Sequence, residues 1–171
     1  MLSIVVRILQ VASLVVTSLL VGSMFGVWQG FDPVSFSPTT FVEVQQGAIR
    51  GLNTLLPAMG VVSIALTFVL GYFARGRRTR VLYVGAAVAL AVAGIITRFE
   101  NQPINDIVMA WRGTPPEGWQ ALRDIWWSWH LARLAAAFAG EVLLINAVLS
   151  HAAASRVVAS SEIHEAVATH G

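Results

Sequence analysis

The chain has 171 residues, of which 56% are hydrophobic and only 12% charged, and its mean hydropathy is +0.70. A soluble domain carries about 25% charged residues, so this composition excludes an aqueous globule, and its apolar content excludes extended disorder. The net charge is +2 with all 11 basic residues arginine, and the complete lack of cysteine excludes disulfide frameworks, thiolate metal sites and thiol chemistry.

A membrane-crossing helix needs about 20 mostly apolar residues. Four stretches qualify: Leu2 to Val27, Gly51 to Phe73, Val81 to Ile96 and Trp129 to Leu149. In the first, Arg7 precedes an apolar run, as in a signal peptide, but that run is longer than a secretory core and no A-x-A-like site follows, so a retained helix is expected. Within it Gly22 and Gly26 form a GxxxG pair suited to close packing.

Ahead of the second span, Glu43, Gln46, Arg50, Asn53 and Pro57 recur every three or four residues, which puts them on one face of a helix. That helix is expected to begin near Ser37 to Thr40, with Ser37 as its cap and Pro38 in its first turn. Arg75, Arg77, Arg78 and Arg80 join spans two and three. Short cytoplasmic loops collect arginine, so this cluster marks orientation rather than nucleic-acid binding. Both termini are then cytoplasmic, and the connections Gln29 to Arg50 and Arg98 to Ser128 lie outside.

After the third span Pro103 disfavours helix at Gln102. An interruption is expected there, with Asn101 as a cap and Pro103 opening a short re-entering or interfacial helix. In the fourth segment Trp119, Arg123, Trp126, His130, Arg133 and Ala137 fall on one stripe, with Glu141 at its edge. Glu141 is expected either to pair with Arg7 or Gln10 or to belong to a site. Ala132, Ala135, Ala136, Ala139 and Gly140 make this helix slim. The fold class is therefore all-α: an integral membrane four-helix bundle, up-down-up-down, with residues 1–150 as the membrane domain and 151–171 as a polar cytoplasmic tail. The expected location is the plasma (inner) membrane of a bacterium.

Arg50, Arg98 and Arg133, with Glu43, Glu100, Asn53, Asn101, Asn105 and His130, are expected to form a polar cavity in the outer half of the bundle. Its guanidiniums suit an anion or a developing oxyanion, and its aromatic walls suit a flat apolar molecule. The same residues also fit a hydrogen-bond network that only closes the bundle, and Trp126 also fits an aromatic belt at the membrane surface.

The stretch Asn101-Gln102-Pro103-Ile104-Asn105, followed by Trp126-Trp127-Ser128-Trp129-His130-Leu131-Ala132-Arg133, resembles the N-x-P-x-N and W-x-x-(W)-(N/H)-x-x-R signatures of the DUF1772, or anthrone-oxygenase-like, family of small four-helix membrane proteins. Gly22 to Gly26 and the segment from Phe41 to Pro57, with Gln46, Asn53 and Pro57, are similar to that family's first half. The chain departs from the pattern at Gln102 and in the long loop from Arg112 to Gly118. The resemblance implies a cofactor-independent oxygenase that converts an anthrone-like phenol to a quinone using dioxygen, with Asn101, Asn105, His130 and Arg133 on family positions.

On that reading His130 is the base and Arg133 and Arg50 hold the enolate oxygen. Asn53, Arg98, Asn101, Asn105, Trp126 and Gln46 bind the substrate. No metal site is expected, since only His130 with Glu43 or Glu100 approximates a ligand set. The expected partners are a lipophilic aromatic molecule, dioxygen and the bilayer, with no nucleic acid, and with homo- or hetero-oligomerisation left open. The alternative is a non-catalytic accessory subunit or a lipid- or quinone-binding protein.

Overall fold

The computed structural model describes the backbone of residues 2–170 and the side chains of residues 4–153. Helix makes up 87% of the chain, and there is no strand among the described residues. The elements are α1 (Leu2–Gly30), α2 (Pro38–Leu52), α3 (Leu55–Phe73), α4 (Arg77–Ile96), a π-helical turn (Thr97–Asn101), α5 (Gln102–Ala110) and α6 (Trp119–His170). Among the described residues four helical stretches, Ile4–Gly30, Leu55–Phe73, Arg77–Ala110 and Trp119–Ala153, are long and apolar enough to cross a membrane. The chain is thus a multi-pass membrane protein by length and composition of its helices.

Two prolines decide where the spanning helices are interrupted. A proline removes one helical donor and clashes with the carbonyl four residues before it; for Pro57 that residue is Asn53. The helix stops there, so α2 ends at Leu52 and α3 starts at Leu55, with Pro57 in its first turn. The continuous face expected from Glu43 to Pro57 is therefore broken at Asn53 and Thr54. The start of α2 follows expectation, with Ser37 Oγ accepting the Thr40 N–H at 3.3 Å and Pro38 in the first turn.

Pro103 acts differently. The backbone does not open into a loop but widens into the π turn, in which the Gln102 N–H bonds the Thr97 carbonyl five residues back. One extra residue is absorbed, and the face of the following helix rotates relative to α4. Asn101 stays helical, at φ −80° and ψ −40°, and makes no side-chain cap, contrary to its expected role. The fourth spanning helix likewise begins earlier than expected, at Trp119 rather than Trp129. The expected tail begins at His151 on this same helix, and its side chains from residue 154 onward lie outside the described residues.

α4 packs most extensively against α6, with α1 and α3 completing the bundle. Leu20, Val21, Met24, Leu56, Leu90, Ala93, Leu134 and Ala137 form the central apolar cluster. Toward the Arg75–Arg80 loop, polar groups in the interior pair with one another: Gln10 Nε2 donates to the Tyr83 hydroxyl at 3.1 Å, and the Ser13 and Thr67 hydroxyls meet at 3.3 Å. Glu141 is half-buried and accepts from Ser18 Oγ at 2.5 Å, not from Gln10, which is committed to Tyr83, nor from Arg7, which is exposed.

Among the glycines the tightest packing is at Gly140, where an added Cβ would lie 2.9 Å from Leu90 Cγ and 3.3 Å from the Ala86 carbonyl oxygen. Gly22 and Gly26 instead face outward, with nothing within 4 Å of an added Cβ, so their GxxxG spacing serves no contact inside the bundle. Gly140→Leu is expected to destabilise the protein by about 1–3 kcal/mol through overpacking, whereas Gly22→Leu leaves stability unchanged. Unfolding midpoints in detergent, followed by circular dichroism, check the contrast.

Candidate functional site

In the half of the bundle away from the Arg75–Arg80 loop, α6 carries Trp126, His130 and Arg133 on its inward face, all buried. His130 is 0% exposed, and its two ring nitrogens have different partners. Nε2 lies 3.2 Å from the Met24 carbonyl of α1, which can only accept, so Nε2 carries the proton. Nδ1 then accepts from Arg133, at 2.9 Å from Nη2 and 3.3 Å from Nε. The partners thus define a neutral imidazole held between a carbonyl and a guanidinium. Trp126 and Trp127 stack on the ring at centroid separations of 5.4 and 5.5 Å.

Arg133 is 9% exposed and has no carboxylate within ion-pair distance among the described residues. Its other protein contact is Nη1 to Thr97 Oγ1 at 3.5 Å, and its guanidinium carbon lies 6.0 Å from the centre of the Trp126 ring. A guanidinium has five N–H donors, so this one keeps donors free after serving His130 and Thr97. A charge at membrane depth costs about 2.5–3.5 kcal/mol even on the lenient scales, and here neutral groups alone offset it.

A second network fixes this stripe to α5 and to the turn between α2 and α3. Asn101 Nδ2 donates to the Trp126 carbonyl at 3.0 Å, Trp126 Nε1 donates to Asn105 Oδ1 at 2.8 Å, and Asn105 Nδ2 donates to Asn53 Oδ1 at 2.9 Å. The π turn makes this alignment, because the rotation it introduces brings both asparagines round to α6. Gln46 stands aside from the chain of contacts, donating to the Val108 and Trp111 carbonyls at 2.9 and 3.1 Å and so tying α2 to the end of α5.

Two cavities meet at Arg133. One, of ≈ 50 Å³, is lined by Gln45, Asn53, Thr97, Asn105, Trp126, His130 and Arg133 among others. The other, of ≈ 390 Å³, lies between α1, α3, α4 and α6, with Leu20, Met24, Gly60, Leu90, Gly94 and Ala137 in its walls. Only Leu56, Pro57, Thr97 and Arg133 line both. A site for an organic molecule usually measures about 300–1,000 Å³. The small polar niche therefore suits water or a diatomic gas, and only the large apolar cavity has room for a ring system.

Of the residues singled out from sequence, Asn53, Asn101, Asn105, Trp126, His130 and Arg133 come together. Arg50 does not: it is exposed on α2, whose buried face is Phe41, Val42, Gln45 and Ile49, and it stands about 100° round the helix from Ile49. Arg98 lines the rim of the large cavity and reaches Gln102 Oε1 at 3.5 Å, but its side is exposed and it does not touch the niche. Glu43 is exposed as well. No group of three or more His, Cys, Asp or Glu side chains that could hold a metal occurs among the described residues.

Sequence reasoning missed Gln45 and Thr97. Gln45 is 1% exposed, lines the niche, and its Oε1 has no hydrogen-bond partner. Its position one residue before Gln46, between the apolar Phe41, Val42 and Ile49, was the available signal. Thr97 turns its hydroxyl to the Ala93 carbonyl at 2.8 Å and so offers its oxygen to Arg133.

Fold and site together define a polytopic membrane protein with a buried histidine–arginine couple beside a ligand-sized apolar cavity. The sequence profile described as anthrone oxygenase matches residues 47–143, from α2 to the middle of α6, and the chain belongs to that family. No curated protein and no solved structure matches it.

Trp126→Phe keeps the stacked ring but removes the donor to Asn105, leaving a buried acceptor without that partner. The expected cost is about 1–3 kcal/mol, measured by denaturant unfolding in detergent. Trp129→Phe, at a half-buried tryptophan with no such bond, is expected to change stability by less than about 0.5 kcal/mol.

Proposed function

We propose that this protein is a membrane-embedded, cofactor-independent oxygenase that oxidises an anthrone-like phenol held in the large cavity against Arg133. The observation that carries this reading is the shared guanidinium. Arg133 is the one charged group lining both cavities, it has spare donors, and the base it touches is a neutral imidazole. Membership of the anthrone oxygenase family supports the reaction class.

On this reading the oxygen of the substrate takes the free donors of Arg133. The substrate is held as its enol tautomer: the guanidinium shifts toward that oxygen and releases Nδ1 of His130, whose lone pair takes the O–H proton, while the ring carbon opposite, the methylene carbon of the ketone form, becomes electron-rich. The electron pair remains as an enolate whose oxygen Arg133 stabilises in a water-poor site. Dioxygen accepts these electrons, a C–O bond forms at that carbon, and the proton returns from His130 to the peroxide. Loss of the second hydrogen with cleavage of the O–O bond gives the quinone carbonyl and one water. One dioxygen is consumed per substrate, with one atom in the product and one in the water.

The niche beside Trp126, with Asn53, Asn105 and Gln45 around it, is sized for the dioxygen or for the water released. Asn101 and Asn105 position Trp126, and through its stacked ring His130, rather than gripping the organic substrate. Arg50 takes no part. The bundle is read as up-down-up-down, with the arginine-rich loop, both termini and the tail 151–171 cytoplasmic, in a bacterial plasma membrane. The concentration of arginine in the loop between α3 and α4 supports that orientation.

Oxygen uptake by the reconstituted protein, supplied with anthrone, tests the reading. His130→Gln is expected to lower the rate by about 10²–10⁴-fold. Arg133→Lys should reduce it at least tenfold, because a point charge cannot serve substrate and imidazole as a planar fork does. Size-exclusion profiles and circular dichroism check that both variants remain folded. Normal turnover in folded His130→Gln removes the base assignment. Binding without any oxygen uptake by the unaltered protein would favour the lipid- or quinone-binding alternative.

A further inference from the structure

The large cavity has its mouth on the lipid-facing side of the bundle. Val61 of α3 is 67% exposed, Ile95 of α4 57% and Phe99 of the π turn 68%, and all three line it. These are faces of membrane-spanning helices, so the surroundings of the mouth are hydrocarbon rather than water. Two glycines keep the gap clear: an added Cβ at Gly94 meets nothing within 4 Å, and at Gly60 only Leu20 Cδ2, at 3.9 Å. At the inner end stands the buried guanidinium of Arg133, with no carboxylate beside it among the described residues.

We propose that the ligand reaches Arg133 sideways from the bilayer, through a portal between α3 and α4 whose width Gly60 and Gly94 set. The ligand travels with an oxygen-bearing edge leading and an apolar edge trailing. Charge complementarity selects this occupant. At the inner end only Arg133 and Thr97 offer polar atoms, so one accepting oxygen is recognised there; the other polar side chains of the lining, Arg98 and Gln102, stand at the rim and pair with each other, and the passage between is apolar. A phospholipid is disfavoured, because its headgroup would have to leave the aqueous interface and cross that passage, while an acyl chain has no acceptor for the guanidinium. The oxygenase reading supplies the reaction, whereas the portal rests on the cavity itself.

The lack of cysteine makes the portal directly addressable. Val61→Cys places a thiol on its wall, and Val62→Cys places one on a neighbouring exposed position that does not line it. Each purified variant is labelled with N-benzylmaleimide in detergent, its labelling checked by mass, and then reconstituted in phosphatidylcholine nanodiscs. The probe is 9-fluorenone, a planar ketone with no hydrogen that this reaction could remove, and saturable quenching of tryptophan emission measures its binding.

The expected result is that labelled Val61→Cys binds at least tenfold more weakly than its unlabelled form, while labelled Val62→Cys binds as before. Fluorene, which lacks the oxygen, should bind the unlabelled protein at least tenfold more weakly than fluorenone. Unchanged binding in labelled Val61→Cys overturns the portal. Equal binding of fluorene overturns the oxygen-first orientation, and a co-purified phospholipid that fluorenone cannot displace overturns the choice of occupant. Fluorenone binding that is blocked at Val61, with no oxygen uptake on anthrone, keeps the portal and removes the oxygenase reading.

Discussion

An arginine at membrane depth without a carboxylate partner needs its charge spread over neutral groups, and in this bundle His130 is the principal one. The imidazole can accept from Arg133 only while its other nitrogen is protonated, and the Met24 carbonyl of α1 fixes it in that form. The contact therefore joins α1 to α6 and at the same time holds a base and an anion-binding group side by side. If the imidazole were charged, two cations would face each other in a water-poor interior, which opposes any state in which both carry a proton. A ligand anion is what would relieve that constraint, and this is the physical ground for reading the couple as a reactive centre rather than a clasp alone.

The surrounding scaffold serves this contact through two departures from regular helix. Pro57 interrupts the helix after Leu52, and Asn53, still in helical conformation as the cap of α2, accepts from Asn105. Pro103 is accommodated by a π turn, which rotates α5 so that Asn101 and Asn105 both meet Trp126. π turns often occur at functional sites, since they reorient side chains without giving up the helix. The tryptophan so fixed stacks on His130; the small polar niche lies beside this stack, and the apolar cavity begins on the far side of Arg133.

Much of this was legible in the sequence. Apolar run lengths located the spanning helices, and the three- and four-residue spacing from Trp119 to Ala137 identified the inward stripe of α6, because helical periodicity is insensitive to what lies between helices. What failed was reasoning about which helix face is covered and where a helix ends near a proline. Arg50 shares a stripe with Asn53 by spacing, yet the covered face of α2 runs through Gln45 and Ile49 and leaves Arg50 exposed. Asn101 was expected to cap a helix start, yet the chain stays helical there and frees its side chain for Trp126. Gln45 escaped notice because its burial depends on which face of α2 the rest of the bundle covers, and the tertiary contact with α5 decides that. The division into two cavities is likewise a property of packed volume, which no pattern along the chain records.

Placing the ligand's oxygen on Arg133 is the central claim, and an experimental structure of the protein with 9-fluorenone bound tests it most directly. The account predicts the ketone oxygen within about 2.7–3.2 Å of a guanidinium nitrogen, the rings between α3 and α4, and a longer separation from Arg133 to His130 Nδ1 than the 2.9 Å found here. A ligand seated elsewhere, or one in the cavity with its oxygen turned toward the lipid and the Arg133–His130 contact unaltered, would contradict it.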